Sequence, residues 1–253
     1  MGTAGLPAVW DERKAREFLR RLRADEMPVL IFDADDTLWE NNIYFERAFD
    51  CFVDFLDHSS LTGAQVREVL NEIELVNAKI HGYGSLNFGR NLQQAYRHLA
   101  EREIREQDLD HVMSLAARIL EQPLELIAGV EETLEDLSQR HELVLFTKGH
   151  PDEQRMKVDR SGLAAYFGHL GIVKEKDAHA YGRLVREQGF TPEGTWMIGN
   201  SPKSDINPAL EAGLGAVLVP HAHTWVLEHQ DVQVREDGRF LQVETFADLR
   251  RHF

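Results

Sequence analysis

The chain has 253 residues, 43% of them hydrophobic, and a formal charge of −15 from 28 basic and 43 acidic side chains. That length and apolar content suit one large α/β domain or a core with a smaller companion, and they exclude a disordered chain. The charge argues against a nucleic-acid groove and an anionic membrane surface, yet it leaves room for a phosphorylated small molecule where local lysines and a metal set the sign inside one cleft.

Cys51 is the only cysteine, so no intramolecular disulfide can form and a cytoplasmic compartment is expected. No apolar run reaches the length that spans a bilayer. Residues 11–23 are dense in Arg, Lys and Glu and lack the apolar core of a signal peptide, while Phe18, Leu19 and Leu22 predict an amphipathic helix.

The first predicted strand is Val29-Leu30-Ile31-Phe32, and it runs straight into Asp33-Ala34-Asp35-Asp36-Thr37-Leu38. An apolar run of this kind suits a buried parallel strand. Three acids at its end repel one another unless a cation or a proton sits among them. In open α/β sheets ligands gather outside the carboxyl ends of the strands, where Asp33 and Asp35 would fall. Alone, the segment reads equally well as a solvated acidic turn.

Four helical stripes follow, over residues 45–56, 65–80, 88–99 and 111–120, with no strand pattern between them. The second carries Val66, Val69, Leu70, Ile73, Val76 and Ile80. Residues 81–88, His-Gly-Tyr-Gly-Ser-Leu-Asn-Phe, break the pattern and predict an interhelix loop whose Tyr83 and Asn87 could select a substrate. Pro123 and the 127–129 turn mark the return to the core, and residues 130–137 open another helix.

Strands and helices then alternate, as in a doubly wound sheet. Leu143-Val144-Leu145-Phe146 leads into Thr147-Lys148-Gly149, Leu170-Gly171-Ile172-Val173 into Lys174-Glu175-Lys176, and Thr195-Trp196-Met197-Ile198 into Gly199-Asn200-Ser201-Pro202-Lys203-Ser204-Asp205. A helix face at Ala178, Tyr181, Leu184 and Val185, a short helix over 208–212, strands over 216–219 and 239–243 and a closing helix over 246–253 complete the pattern. His221 and His223 read as polar loop residues, for want of a third metal ligand nearby in sequence.

In that order the four polar strand ends resemble the motifs of the haloacid dehalogenase-like (HAD) hydrolase superfamily: DxDxT, a Ser or Thr, a Lys, and an acidic loop after a glycine. The resemblance runs from Val29 to Val219. It implies a Rossmann-like, doubly wound parallel sheet over residues 1–40 and 123–253, with a helical cap inserted over 41–122.

It further implies a Mg2+-dependent phosphatase acting on a small phosphorylated metabolite. Asp33 would attack phosphorus to give an aspartyl-phosphate, splitting one hard hydrolysis into two easier steps. An anion attacking a phosphate meets about 4 kcal/mol of repulsion per charge pair at about 4 Å and an effective dielectric near 20, which a divalent ion offsets. The resemblance places a general acid and base at Asp35, and crowding by Asp33 and Asp36 would favour its proton. Asp36 stands where the family usually has glycine and reads as a turn or capping residue.

Thr147 would cradle the phosphoryl oxygens. Lys148 either faces the substrate or is solvated. Of Lys174 and Lys176, the second fits the family's lysine better, because Asp177 suits the N-cap of the next helix. Asn200 replaces the family's usual acid with a neutral amide, while Asp205 keeps the second acid. A metal site of Asp33, the Asp35 carbonyl, Asn200 and Asp205 is therefore expected, weaker than one of three carboxylates.

Asp35 favours phosphate chemistry over a dehalogenase, whose halide leaving group needs no proton. Rival readings are a phosphomutase, a non-catalytic binding or regulatory protein, which Asn200 alone supports, and a phospho-accepting receiver domain, which is about half this length.

Overall fold

A computed structural model of the chain describes residues 27–233 and 238–253; the helix predicted over 11–23 lies outside them. Six strands form one parallel sheet in the order β3-β2-β1-β4-β5-β6. They are β1 Val29–Phe32, β2 Leu143–Lys148, β3 His169–Val173, β4 Thr195–Gly199, β5 Gly215–Leu218 and β6 Phe240–Gln242. The order reverses beside β1, whose neighbours are β2 and β4. That reversal opens the crevice in which open sheets bind ligands.

The central strands are buried on both faces because their alternate residues feed two separate cores. Leu30, Phe32, Leu145 and Ile198 pack on one side with Leu134, Leu137 and Phe246. Ile31, Val144, Phe146 and Met197 pack on the other with Tyr181, Leu184 and Leu210. Both faces of the sheet are thus covered, as an all-parallel arrangement requires.

Between β1 and β2 run α1 Asn42–Leu56, α2 Gly63–His81, α3 Ser85–Leu99 and α4 Glu106–Ala117. They share a third core of their own, around Phe49, Phe52, Leu70, Leu92, Tyr96 and Val112. α2 starts on a capping box in which the Thr62 hydroxyl accepts from the Gln65 N–H and Gln65 answers to the Thr62 N–H.

Three local expectations change here. The loop predicted over 81–88 shrinks to Gly82–Gly84, because Glu153 from the sheet domain caps the start of α3, accepting from the Ser85 N–H at 3.0 Å and its hydroxyl at 2.9 Å. Of the α2 stripe, Val76 and Ile80 are exposed, and Glu74 takes a buried place beside Ile73 instead. The closing helix is a 3-10 segment, Phe246–Arg251.

After β2 come α6 Pro151–Ser161 and, after β3, α7 Ala178–Gln188; α5 Val130–Ser138 precedes β2. Asp177 caps α7, accepting from the Ala180 N–H at 2.7 Å. A short π turn, Pro202–Ile206, leads into α8 Asn207–Glu211. No helix among the described residues is long and apolar enough to cross a membrane.

Candidate active site

The carboxyl ends of β1, β2, β3 and β4 bring five of the sequence-predicted residues together. Asp33, Thr147, Lys176, Asn200 and Asp205 are all buried, and all line one cavity of about 160 Å³ between the sheet and the helical insert. Lys176 sits at its centre. Its ammonium donates at 2.5 Å to Asp33 Oδ1 and at 2.5 Å to Asp205 Oδ1. Burial alone would pull the lysine down, but Asp205 and Asp33 outweigh it and hold Lys176 well above its ordinary value. Burial and the Asp33 charge push Asp205 up, against the pull of Lys176.

The loop after β4 is built around that contact. A Cβ on Gly199 would lie 2.2 Å from Asp205 Oδ2, so only glycine lets the carboxylate fold back this closely. The same oxygen accepts from the Ser201 N–H at 2.9 Å. With Oδ1 on Lys176, both oxygens of Asp205 are engaged, and its direct service is to the lysine.

Asn200 lies on the other flank of Asp33. The Thr37 hydroxyl is 3.2 Å from Asp33 Oδ2 and 3.2 Å from Asn200 Oδ1, so two hard oxygen donors converge on one corner of the cavity. That corner, with the Asp35 carbonyl on the same loop, fits an oxygen-liking divalent ion. The Asn200 amide donates to Thr224 Oγ1 at 2.9 Å, which fixes its carbonyl toward Asp33.

Asp35 differs from expectation. Both its oxygens are 2.6 Å from the Lys157 ammonium, and Gln154 and Trp39 donate to it at 2.8 Å each. Burial pushes the carboxyl up, yet Lys157, together with the Gln154 and Trp39 hydrogen bonds, more than offsets this and leaves it below its ordinary value. Crowding by Asp33 and Asp36 therefore does not set its protonation. Asp36 adopts a left-handed φ of 59°, which explains why glycine suits this position. Its carboxylate accepts from the Asn41 and Asn42 N–H groups at 2.9 and 3.0 Å, holding the start of α1.

Thr147 is 1% exposed and donates to Gln154 Oε1 at 3.4 Å. Lys148 is not solvated: it pairs with Glu228 at 2.5 Å, donates to Ser204 Oγ at 2.8 Å and lies 4.5 Å over the Tyr83 ring. Burial raises Glu228, but Lys148 and the Ser201 and Ser204 hydroxyls bring it below its ordinary value. Tyr83 and Asn87 both line the cavity. Tyr83 donates to Glu175 and packs edge-on against Trp225, bridging insert and sheet. Asn87 donates to the His81 carbonyl at 2.7 Å and so closes the end of α2.

Sequence reasoning missed Lys157, Glu228, Trp225 and Glu74, all lining residues. Each meets its partner across a long stretch of chain, and only Glu74, an acid on an otherwise apolar helix face, left a local sign. His221 also gains company: it reaches Asp36 at 3.8 Å and Glu40 at 3.3 Å, and the three could hold a metal ion. Asp36 is already committed to the backbone of α1, so that grouping is secondary to the corner at Asp33.

Comparison with known proteins bears on the family and the fold. The haloacid dehalogenase-like hydrolase family matches residues 27–213. A phosphoserine phosphatase of Thermus thermophilus is 33% identical over 117 residues, which are 44% of this chain and 43% of that enzyme; the match thus spans less than half the length of the relative. A haloacid dehalogenase-like family hydrolase from Xanthomonas campestris superposes with a TM-score of 0.75 at 28% identity, over 89% of this chain and 94% of its own. A 2-haloacid dehalogenase from Pseudomonas syringae shares the fold at 19% identity, with a TM-score of 0.58 over 89% and 97% of the two chains.

Proposed function

The chain belongs to the haloacid dehalogenase-like hydrolases, and from that premise we propose that it is a magnesium-dependent phosphatase of a small phosphorylated metabolite, working through an aspartyl-phosphate on Asp33. Fold alone does not separate phosphatases from dehalogenases. The observation that carries the choice is Asp35, held two residues past Asp33 on the same cavity by Lys157, Gln154 and Trp39. A halide leaves without a proton, whereas an alkoxide needs one and the second step needs a base.

In this reading a free lone pair of Asp33 forms a bond to phosphorus as the ester P–O bond breaks. Lys176 neutralises Asp33 and the incoming phosphoryl group, and Asp205 holds Lys176 in place. Asp35 takes up the proton of the monoanionic ester, delivers it to the departing alkoxide, and then takes a proton from the water that attacks the acyl-phosphate, which returns Asp33 and inorganic phosphate. Lys157 favours the ionised form of Asp35, the state the hydrolytic half requires. A magnesium ion bound by Asp33, the Asp35 carbonyl and Asn200 would offset charge between nucleophile and phosphate. Thr147 and Lys148 line the phosphoryl end, and Tyr83 and Asn87 the leaving-group end, of a helical unit that acts as the cap.

The test is phosphate release from p-nitrophenyl phosphate and a metabolite panel with magnesium, O-phosphoserine among them on the strength of the Thermus relative. A 2-haloacid serves as the opposing arm. Phosphate release that disappears in Asp33→Asn supports the reading; dehalogenation without phosphatase activity overturns it.

A further inference from the structure

α6 breaks the usual pattern of a helix packed on a sheet. Such a helix ordinarily buries an apolar stripe, yet after its leading proline the only apolar residues of Pro151–Ser161 are Met156 and Val158. Polar side chains face the molecule instead. Glu153, Lys157 and Arg160, spaced i, i+4 and i+7, lie along one face beside the buried Gln154.

That face meets the insert at three separate places. Glu153 accepts from the Ser85 N–H at 3.0 Å and from its hydroxyl at 2.9 Å, at the start of α3. The approach is close enough to require Gly84, whose φ is 117° and whose Cβ would lie 3.1 Å from both Glu153 oxygens. Lys157 donates to Asn41 Oδ1 at 3.0 Å, on the chain entering the insert. Arg160 donates to the Leu120 and Gln122 carbonyls at 2.8 and 2.7 Å, on the chain leaving it.

The same helix holds Asp35. Lys157 reaches both carboxylate oxygens at 2.6 Å, and Gln154 reaches Oδ2 at 2.8 Å. An ammonium has three N–H donors; two of them serve Asp35 and the third serves Asn41. None is left for a ligand, so Lys157 acts through Asp35 and not on the substrate. Resting on the phosphatase reading above, we propose that Lys157 is a positioning residue, which aims Asp35 at the leaving-group oxygen only while α6 grips both linkers. The seating of the insert thereby governs proton delivery.

Any rocking of the insert moves Asn41 and the carbonyls of residues 120 and 122. Asn41 touches Lys157 directly, and Arg160 sits one turn beyond it on the same helix. Small displacements suffice, because a misplacement of about 1 Å can cost roughly 10²-fold in rate. If the polar face of α6 served packing alone, the demands of the leaving group would make no difference.

That contrast is the test. Phenyl phosphate and p-nitrophenyl phosphate are close in shape, but only the first has a leaving group that needs a proton. Their kcat/KM values cover the half-reaction in which that group departs. Lys157→Met should lower the phenyl ester by roughly 10- to 100-fold more than the nitrophenyl ester. Arg160→Met alters no residue lining the cavity around Asp33. It should lower the same ratio by roughly three- to tenfold, and by nothing further once residue 157 is methionine. Equal losses on the two esters, or effects of the two changes that simply multiply, overturn the proposal. Hydrogen exchange reads the linkage without substrate: Arg160→Met should quicken exchange over residues 33–38 as well as 119–123, and should add nothing over 33–38 in Lys157→Met protein. Quickening confined to 119–123 also overturns it. A wild-type protein that hydrolyses neither ester, with residues 33–38 still responding, would remove the phosphatase reading and leave the linkage through α6.

Discussion

Two charge clusters line one cavity, one buried throughout and one partly open, and they are built in opposite ways. At the sheet end, Lys176 lies between Asp33 and Asp205, and the oxygens of Asp205 are all engaged. At the insert end, Arg67 pairs with Glu46 and leaves Glu74 with an open oxygen. The first cluster is preorganised: its charges are placed before any ester arrives, which suits a step common to every phosphate ester. The second leaves a buried carboxylate oxygen without a donor among the described residues, so its charges are not matched in the same way.

The largest effect should come from removing the one group that reacts. Asp33→Asn keeps the size of the side chain and one of its two acceptor oxygens yet deletes the nucleophile, so turnover should fall by roughly 10⁴-fold or more, with an unchanged circular dichroism spectrum. Residual activity within about tenfold of wild type would mean that the cluster at the sheet end is structural. Lys176→Ala asks the energetic question instead. It strands two buried carboxylates, and breaking a buried pair in this way costs about 3–5 kcal/mol. Denaturant unfolding should show that loss; a change below about 1 kcal/mol would place both carboxylates in effective contact with water.

The sheet end was legible in the sequence because its signals are local. An apolar run followed by a polar group marks a strand end, and four such ends meet wherever a parallel sheet gathers them. Asp177 announced the start of α7 and so singled out Lys176 over Lys174. The insert end was not legible, since its contacts join distant segments. Trp225 acts on Glu74 across more than half the length of the chain, and even at the sheet end Glu228 meets Lys148 and Lys157 meets Asp35 across 80 and 122 residues. Asn87 shows the same limit: it reads as part of a loop until Glu153 is seen capping α3 from the sheet domain. Glu74 broke the apolar periodicity of α2, and that interruption was the trace of this charge cluster.

Glu74 gives the comparison a pH signature. The folded protein holds its proton up to about pH 7, while the unfolded chain releases it near 4.5. Stability therefore falls as pH rises between those values, and the full penalty stands above 7. Arg67 on α2, Glu46 on α1 and the Trp225 indole act on this carboxyl. Glu74→Gln cannot ionise, so it should stabilise the ligand-free protein by up to about 3 kcal/mol at pH 8, and by nothing below pH 4. Thermal unfolding of both proteins across that range measures it. A difference that stays flat with pH would show that Glu74 ionises in the folded protein without penalty, erasing the contrast between the two ends.

The smallest effect sharpens the account of the sheet end, where Asn200 puts a neutral oxygen beside Asp33, 3.2 Å from the same Thr37 hydroxyl. Lys176 already balances Asp33 and Asp205 as far as one cation can, so a further carboxylate has no counter-charge in the protein alone. Asn200→Asp should therefore lower the unfolding temperature in chelator and recover it in magnesium. It should also reduce the magnesium concentration for half-maximal activity by about tenfold, or about 1.4 kcal/mol. Both readouts must move together, because one new charge causes both. Destabilisation that magnesium does not reverse would put Asn200 outside the ion's reach and leave it as the residue that braces Thr37 and Thr224.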